Sequence, residues 1–222
     1  MVKPMIKTLT RFVVLWAMLN MLAACEKAAE PDAAAMALAS GAYKSCAACH
    51  GAKGEGNQAL NAPTLVNLDD WYMKRQLQGF RDGLRGTHAE DVNGQLMASQ
   101  SSNYAEDVQI DALLSQVADF PDVLPESTFT ADLDNGRDNY NMICGACHGP
   151  QGVGNEILNA PSLRGLNDWY LAHQYENFRN GIRGTHTDDT YGRQMQSMGQ
   201  ILETEKEARN VAAYLLSLDL RD

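Results

Sequence analysis

Five cysteines and five histidines occur among the 222 residues, and four of the cysteines fall into two tight pairs. Cys46-Ala-Ala-Cys49-His50 and Cys144-Gly-Ala-Cys147-His148 are both Cys-x-x-Cys-His runs. Two thiols three residues apart share one side of a helical turn. That spacing suits two thioether bonds to the vinyl groups on one edge of a porphyrin. The adjacent histidine, His50 or His148, then becomes the proximal ligand of its iron. A redox dithiol and part of a zinc site are the other chemistries open to such a pair. The dithiol belongs beside βαβ patterning, which this sequence lacks. Two copies in one duplicated, helical chain favour two covalent haem c groups over either alternative.

The two runs are 98 residues apart, and the same offset continues without a gap to Met97 and Met195. Across these 52 positions 28 residues are identical, too many for chance, so the chain is an internal duplication. The shared segments include Asn61-Ala-Pro63 with Asn159-Ala-Pro161, Asp70-Trp71-Tyr72 with Asp168-Trp169-Tyr170, and Arg85-Gly-Thr-His88 with Arg183-Gly-Thr-His186. Met97 and Met195 are the expected sixth iron ligands. A methionine is often only a core filler, but Met97 is the sole methionine of its unit after Met73. His88 and His186 are the competing ligands. Met198, three residues beyond Met195, could share its helical face. Only Met195 has a methionine counterpart in the first unit. A thioether opposite histidine raises the reduction potential and leaves no open coordination position.

The elements that must position these groups are helical, because the period-2 alternation of strands is absent. Each unit of about 85 residues is small for an independent core, and a buried cofactor supplies apolar mass. The clearest helix is 205–218, with Thr204 as N-cap, Glu207 completing a capping box, and Val211, Leu215 and Leu218 on one face. Residues 105–118 are its equivalent, with Ile110, Leu113, Leu114 and Val117 as the apolar stripe. The expected divisions are a signal peptide at 1–24, a tether at 25–37, domains at 38–118 and 134–222, and a linker at 119–133 holding Pro121 and Pro125.

The N-terminus resembles a bacterial lipoprotein signal. Lys3, Lys7 and Arg11 precede a short apolar run from Phe12 to Leu22, and Leu22-Ala23-Ala24-Cys25 follows. In such signals the cysteine, here Cys25, is lipidated after cleavage; an ordinary secretory signal is the alternative. Either implies export to the periplasmic side. Glu26, rather than aspartate, after Cys25 weakly favours the outer membrane. The net charge is −10, and losing the three positive charges of 1–24 leaves −13. Nucleic acid is therefore excluded as a partner, and redox proteins with basic docking surfaces are expected. No internal stretch is long and apolar enough for a membrane span.

Each unit resembles a class I cytochrome c domain, and the pair resembles the diheme cytochrome c4 group, over roughly residues 38–118 and 134–220. The resemblance rests on Cys-x-x-Cys-His, Asn-Ala-Pro, Trp-Tyr leading into Gln-x-x-x-Phe-Arg-x-Gly-x-Arg, a methionine and a terminal helix. It implies an all-α fold of two tandem domains, each wrapped around one haem. It also implies that the carbonyls of Pro63 and Pro161 accept a hydrogen bond from the proximal histidines. Arg85 and Arg183 are candidate propionate partners, with Trp71 and Trp169 as possible indole donors. The alternative is solvated arginines and core tryptophans. Arg81 and Arg179 are weaker candidates, and His173, which replaces Arg75, is expected at the surface. The first unit departs from the pattern twice. It has Gln116 where the second has Tyr214, and it lacks the Gly136-x-x-x-Tyr140 spacing. The implied function is electron transfer between a respiratory donor complex or dehydrogenase and a terminal oxidase or reductase. A fixed subunit of a larger oxidoreductase and a diheme peroxidase are the alternatives.

Overall fold

The computed structural model describes residues 41–218, so Cys25 and the expected signal and tether lie outside the described residues. Helices carry the fold. In the first half they are α1 (Ala47–His50), α2 (Asp70–Arg81), α3 (Val92–Ser101) and α4 (Asp107–Ala118). In the second they are α5 (Leu133–Asn139), α6 (Gly145–His148), α7 (Asp168–Arg179), α8 (Thr190–Met198) and α9 (Glu205–Leu216). Among the described residues, strand pairing is limited to the isolated bridges Asn57–Ala62 and Asn155–Ala160. The all-α expectation holds in both halves. No helix among the described residues is long and apolar enough to cross a membrane.

The terminal helices form where their caps and apolar spacing place them. Thr204 Oγ1 accepts the Glu207 amide, and the Glu207 carboxylate accepts the Thr204 amide in return, which satisfies two otherwise free donors at the start of α9. Val211 and Leu215 are buried beneath it, and Leu218 packs against the same cluster. Helix α4 begins at Asp107 rather than 105, because extended Glu106 caps it and forms a box with Gln109. Its stripe of Ile110, Leu113, Leu114 and Val117 is buried against Tyr43, Met73 and Leu77. Helix α5 crosses α9 at Gly136, where a Cβ would lie 2.1 Å from the Asn210 carbonyl oxygen. Only glycine permits that approach.

Both departures of the first half are compensated by tertiary packing. Tyr140 is fully buried and its hydroxyl donates to the Gly149 carbonyl at 2.7 Å. Tyr43 makes the same bond to Gly51 at 2.7 Å, although it stands three residues before its cysteine rather than four. The second half absorbs its extra residue as a π-helical turn over Tyr140–Cys144, a common way to insert one residue into a helix. The aromatic partner is also replaced. Tyr214 lies 6.0 Å from the Tyr140 ring, whereas Phe120 meets Tyr43 edge-on at 4.9 Å and Gln116 instead accepts the Tyr43 amide.

The halves meet through a contact that repeats under the offset of 98. The Thr64 amide donates to Asn167 Oδ1, and the equivalent Ser162 amide donates to Asp69 Oδ2, both at 2.8 Å. Such reciprocity is what an approximate twofold axis between like surfaces produces. The segment between the halves is held by Asp168, whose carboxylate accepts from Ser127, Thr128 and Phe129.

Candidate cofactor-binding sites

Each Cys-x-x-Cys-His run winds into one helical turn. The His50 amide donates to the Cys46 carbonyl at 2.8 Å, which brings Cys46, Cys49 and His50 to one side. All four thiols are free. Cys49 and Cys147 are exposed, while Cys46 and Cys144 are half-buried. Burial, with Cys147 beside it, pushes the Cys144 thiol up to about 11. Left-handed Gly51 and Gly149 then end each turn.

The histidine rings are buried and oriented identically. His50 Nδ1 lies 2.8 Å from the Pro63 carbonyl oxygen, and His148 Nδ1 lies 2.8 Å from that of Pro161. A carbonyl only accepts, so Nδ1 carries the proton and Nε2 keeps its lone pair. Burial lowers both histidines from their ordinary value, against the raising effect of the proline carbonyl. Each ring is thus a neutral imidazole with a fixed tautomer and a lone pair on Nε2 that could ligate a metal. The prolines are presented by Asn57 and Asn155, which turn the chain, and by Asn61 and Asn159, which adopt left-handed backbone.

In the second half these groups face a large cavity. Cys144, Cys147, His148, Met195 and Leu215 line it, and the space between its walls, open mouth included, is about 1530 Å³. Leu166, Leu171, Phe178, Val211 and Leu215 give it an apolar lining that suits a porphyrin face. Met195 is half-buried, whereas Met198 on the same wall is 36% exposed. His186 is not part of that wall as described; its Nδ1 accepts the Asp188 amide. In the first half Met97 packs against the core cluster together with Cys46, and His88 Nδ1 accepts the Glu90 amide.

The repeated arginines converge at the junction of the halves. Arg85 donates to Gln76 and Gln174 at 2.8 Å each. Arg183 donates to the same two oxygens at 2.8 and 2.7 Å and to the Tyr72 hydroxyl at 2.9 Å. Their guanidinium carbons lie 4.4 and 4.5 Å from the Phe80 and Phe178 ring centres. Two cations therefore share neutral amide oxygens. Arg183 is 7% exposed, and Arg85 Nε is buried without a hydrogen-bond partner. Buried like charges in this arrangement are costly unless an anion joins them, and the carboxylates of a bound porphyrin would answer that need. Burial alone raises the Tyr72 phenol, yet Arg183, Arg85 and Arg75 together hold it below its ordinary value.

The other candidates separate. Trp71 and Trp169 are half-buried beside Tyr72 and Tyr170, in edge contacts at 5.9 and 6.1 Å. Arg81 pairs with Asp82 and Asp107 and Arg179 with Glu176, so both serve local structure. His173 is exposed, as expected. Gln76 and Gln174 stand in the sequence only as members of the shared Gln-x-x-x-Phe-Arg segment and Arg75 only as the residue that His173 replaces, with no role assigned to any of them. Identity of the glutamines in both repeats was a signal for the first two. Arg75 is one of the positions where the repeats differ, and a difference marks nothing by itself.

Comparison with known proteins gives a consistent outcome. The family model described as cytochrome c matches residues 37–117 and 133–219. A thiosulfate dehydrogenase electron acceptor of Stutzerimonas stutzeri is 27% identical over 82% of this chain and 82% of its own length. A cytochrome c4 of Pseudomonas aeruginosa is 29% identical over 78% of this chain and 83% of its own. The solved cytochrome c4 of Acidithiobacillus ferrooxidans is 25% identical, with a TM-score of 0.63, covering 79% of this chain and 99% of that one.

Proposed function

The chain belongs to the cytochrome c family, and from that premise we propose how its residues hold two covalent haem c groups and serve electron transfer between redox partners. When bound, haem iron supplies one-electron exchange between its ferric and ferrous states. Cys46 and Cys49 hold one group by thioether bonds, and Cys144 and Cys147 hold the other. His50 and His148 offer Nε2 to the iron, because Pro63 and Pro161 fix the proton on Nδ1. Met97 and Met195 provide the sixth ligands rather than His88 and His186. Arg85 and Arg183 neutralise propionates where the halves meet, and Trp71 and Trp169 are candidate indole donors to the same groups.

The observation that carries this assignment is the matched pair of buried histidines, each 2.8 Å from its proline carbonyl. With Met97 and Met195 as ligands beside His50 and His148, neither iron would keep a position for peroxide. The protein is an electron carrier and not an enzyme. Its electrons pass between a respiratory donor complex or dehydrogenase and a terminal oxidase or reductase. The electron-acceptor relative supports a dehydrogenase as donor. A mature charge of −13 suits partners with basic docking surfaces. The lipoprotein-type signal supports periplasmic attachment through lipid on Cys25, with the outer membrane weakly preferred.

Haem count and ligand spectroscopy of the purified protein test this directly. The expected result is two haems that survive acid-acetone extraction, both low-spin, falling to one when Cys46 and Cys49 become serine. Fewer than two haems, or a high-spin peroxide-reactive one, overturns it.

A further inference from the structure

Arg75 belongs to the first half but forms part of the wall of the second half's cavity, together with His148 and Met195. Its guanidinium donates to Asn159 twice, to Oδ1 at 2.9 Å and to the backbone carbonyl at 3.0 Å. It lies 4.8 Å from the Tyr191 ring centre, 4.9 Å from Trp71 and 5.5 Å from Tyr72. Three rings and two oxygens thus hold one cation across the junction. Asn159 opens the turn that presents the Pro161 carbonyl to His148, so the same contact also braces the proximal histidine.

The repeat supplies no matching cation at the equivalent position. The offset of 98 places His173 opposite Arg75 and Asn93 opposite Tyr191. His173 is exposed, and Asn61, the counterpart of half-buried Asn159, is exposed as well. Asp189 is the acidic group near Arg75, but its counterpart Asp91 is present in the first half, so it does not create the difference. Arg183 and Arg85 are likewise matched. Arg75 is therefore an unmatched positive charge beside the second cavity.

We propose that Arg75 is a tuning residue that acts across the junction, raising the reduction potential of the second haem and biasing electron exchange between the halves toward the second. The inference rests on the two-haem assignment above. A fixed positive charge favours the ferrous state, which carries one positive charge fewer. The transfer it biases is a one-electron exchange: the group in the first half is oxidised, the group in the second is reduced, and no proton or co-reactant takes part. A unit charge on the wall of a cavity that a porphyrin fills acts over roughly 10 Å. At an effective dielectric of about 20, that changes the ferrous-to-ferric ratio about tenfold.

The test is a redox titration of the two-haem protein, with each haem followed by its own methyl proton resonances. Arg75→Gln should lower the second haem's ferrous-to-ferric ratio about tenfold at a fixed electrode potential, about 59 mV for one electron, and leave the first haem unchanged. Arg75→Lys keeps the charge while losing the fork to Asn159, and should stay within about twofold of the parent, since it is charge that sets the shift. The idea is overturned if Arg75→Gln leaves the second haem unmoved, shifts both haems equally, or is matched by Arg75→Lys. A missing haem, or loss of the near-infrared methionine band in the parent protein, sinks the two-haem assignment instead.

Discussion

Asp70 and Asp168 are the same residue of the repeat, each first in its helix, yet the same substitution should cost them very different amounts of stability. Asp168 is 0% exposed. Its Oδ2 accepts Ser127 Oγ and the amides of Thr128 and Phe129, at 3.1, 2.8 and 3.3 Å. Its Oδ1 accepts Thr128 Oγ1 and the Trp169 amide, both at 2.7 Å. In Asp168→Asn, whichever way the amide turns, its NH2 group faces at least one buried backbone N–H. One unsatisfied buried donor costs about 1–3 kcal/mol, and the charge-assisted bonds weaken as well, so the loss should be about 2–4 kcal/mol. Asp70 is exposed, and Asp70→Asn forfeits only a small helix-dipole interaction, about 0.5 kcal/mol. Guanidinium unfolding of the haem-loaded protein, followed by far-ultraviolet dichroism, measures both. If the two variants agree within about 0.5 kcal/mol, Asp168 is not the clasp of the interdomain segment and the reasoning fails.

Met195→Ala should abolish the near-infrared thioether band of the second haem and lower its potential, while Met198→Ala leaves both intact; the reverse would show that the ligand loops of the two halves have diverged. Gly136→Ala forces a Cβ against the Asn210 carbonyl at 2.1 Å and should cost about 1–3 kcal/mol by overpacking, whereas Gly41→Ala, with nothing within 4 Å, should be close to neutral in the same unfolding assay. Cys25→Ala should release the protein from membranes or block its processing on fractionation; unchanged membrane association would refute lipid anchoring.

The chemistry was legible in the sequence because it is local. Cys-x-x-Cys-His needs only one helical turn to bring its three side chains together, and the Asn-Ala-Pro turn is short enough to be written in adjacent residues. The duplication pointed to Met97 and Met195, and capping residues marked the start of α9. Tertiary structure decided how equivalent residues differ. Tyr43 could replace Tyr140 only because a π-helical turn absorbs one residue in the other half and because Phe120, from beyond α4, reaches its ring. Asp168 is a buried clasp and Asp70 an exposed carboxylate, because only one of them lies beneath the interdomain segment. Arg85 and Arg183 come together, and Arg75 enters the other half's cavity, because two similar surfaces meet head to head. Burial and charge environment depend on neighbours that are distant in the chain, so two copies of one local sequence acquire different physics when they pack against each other.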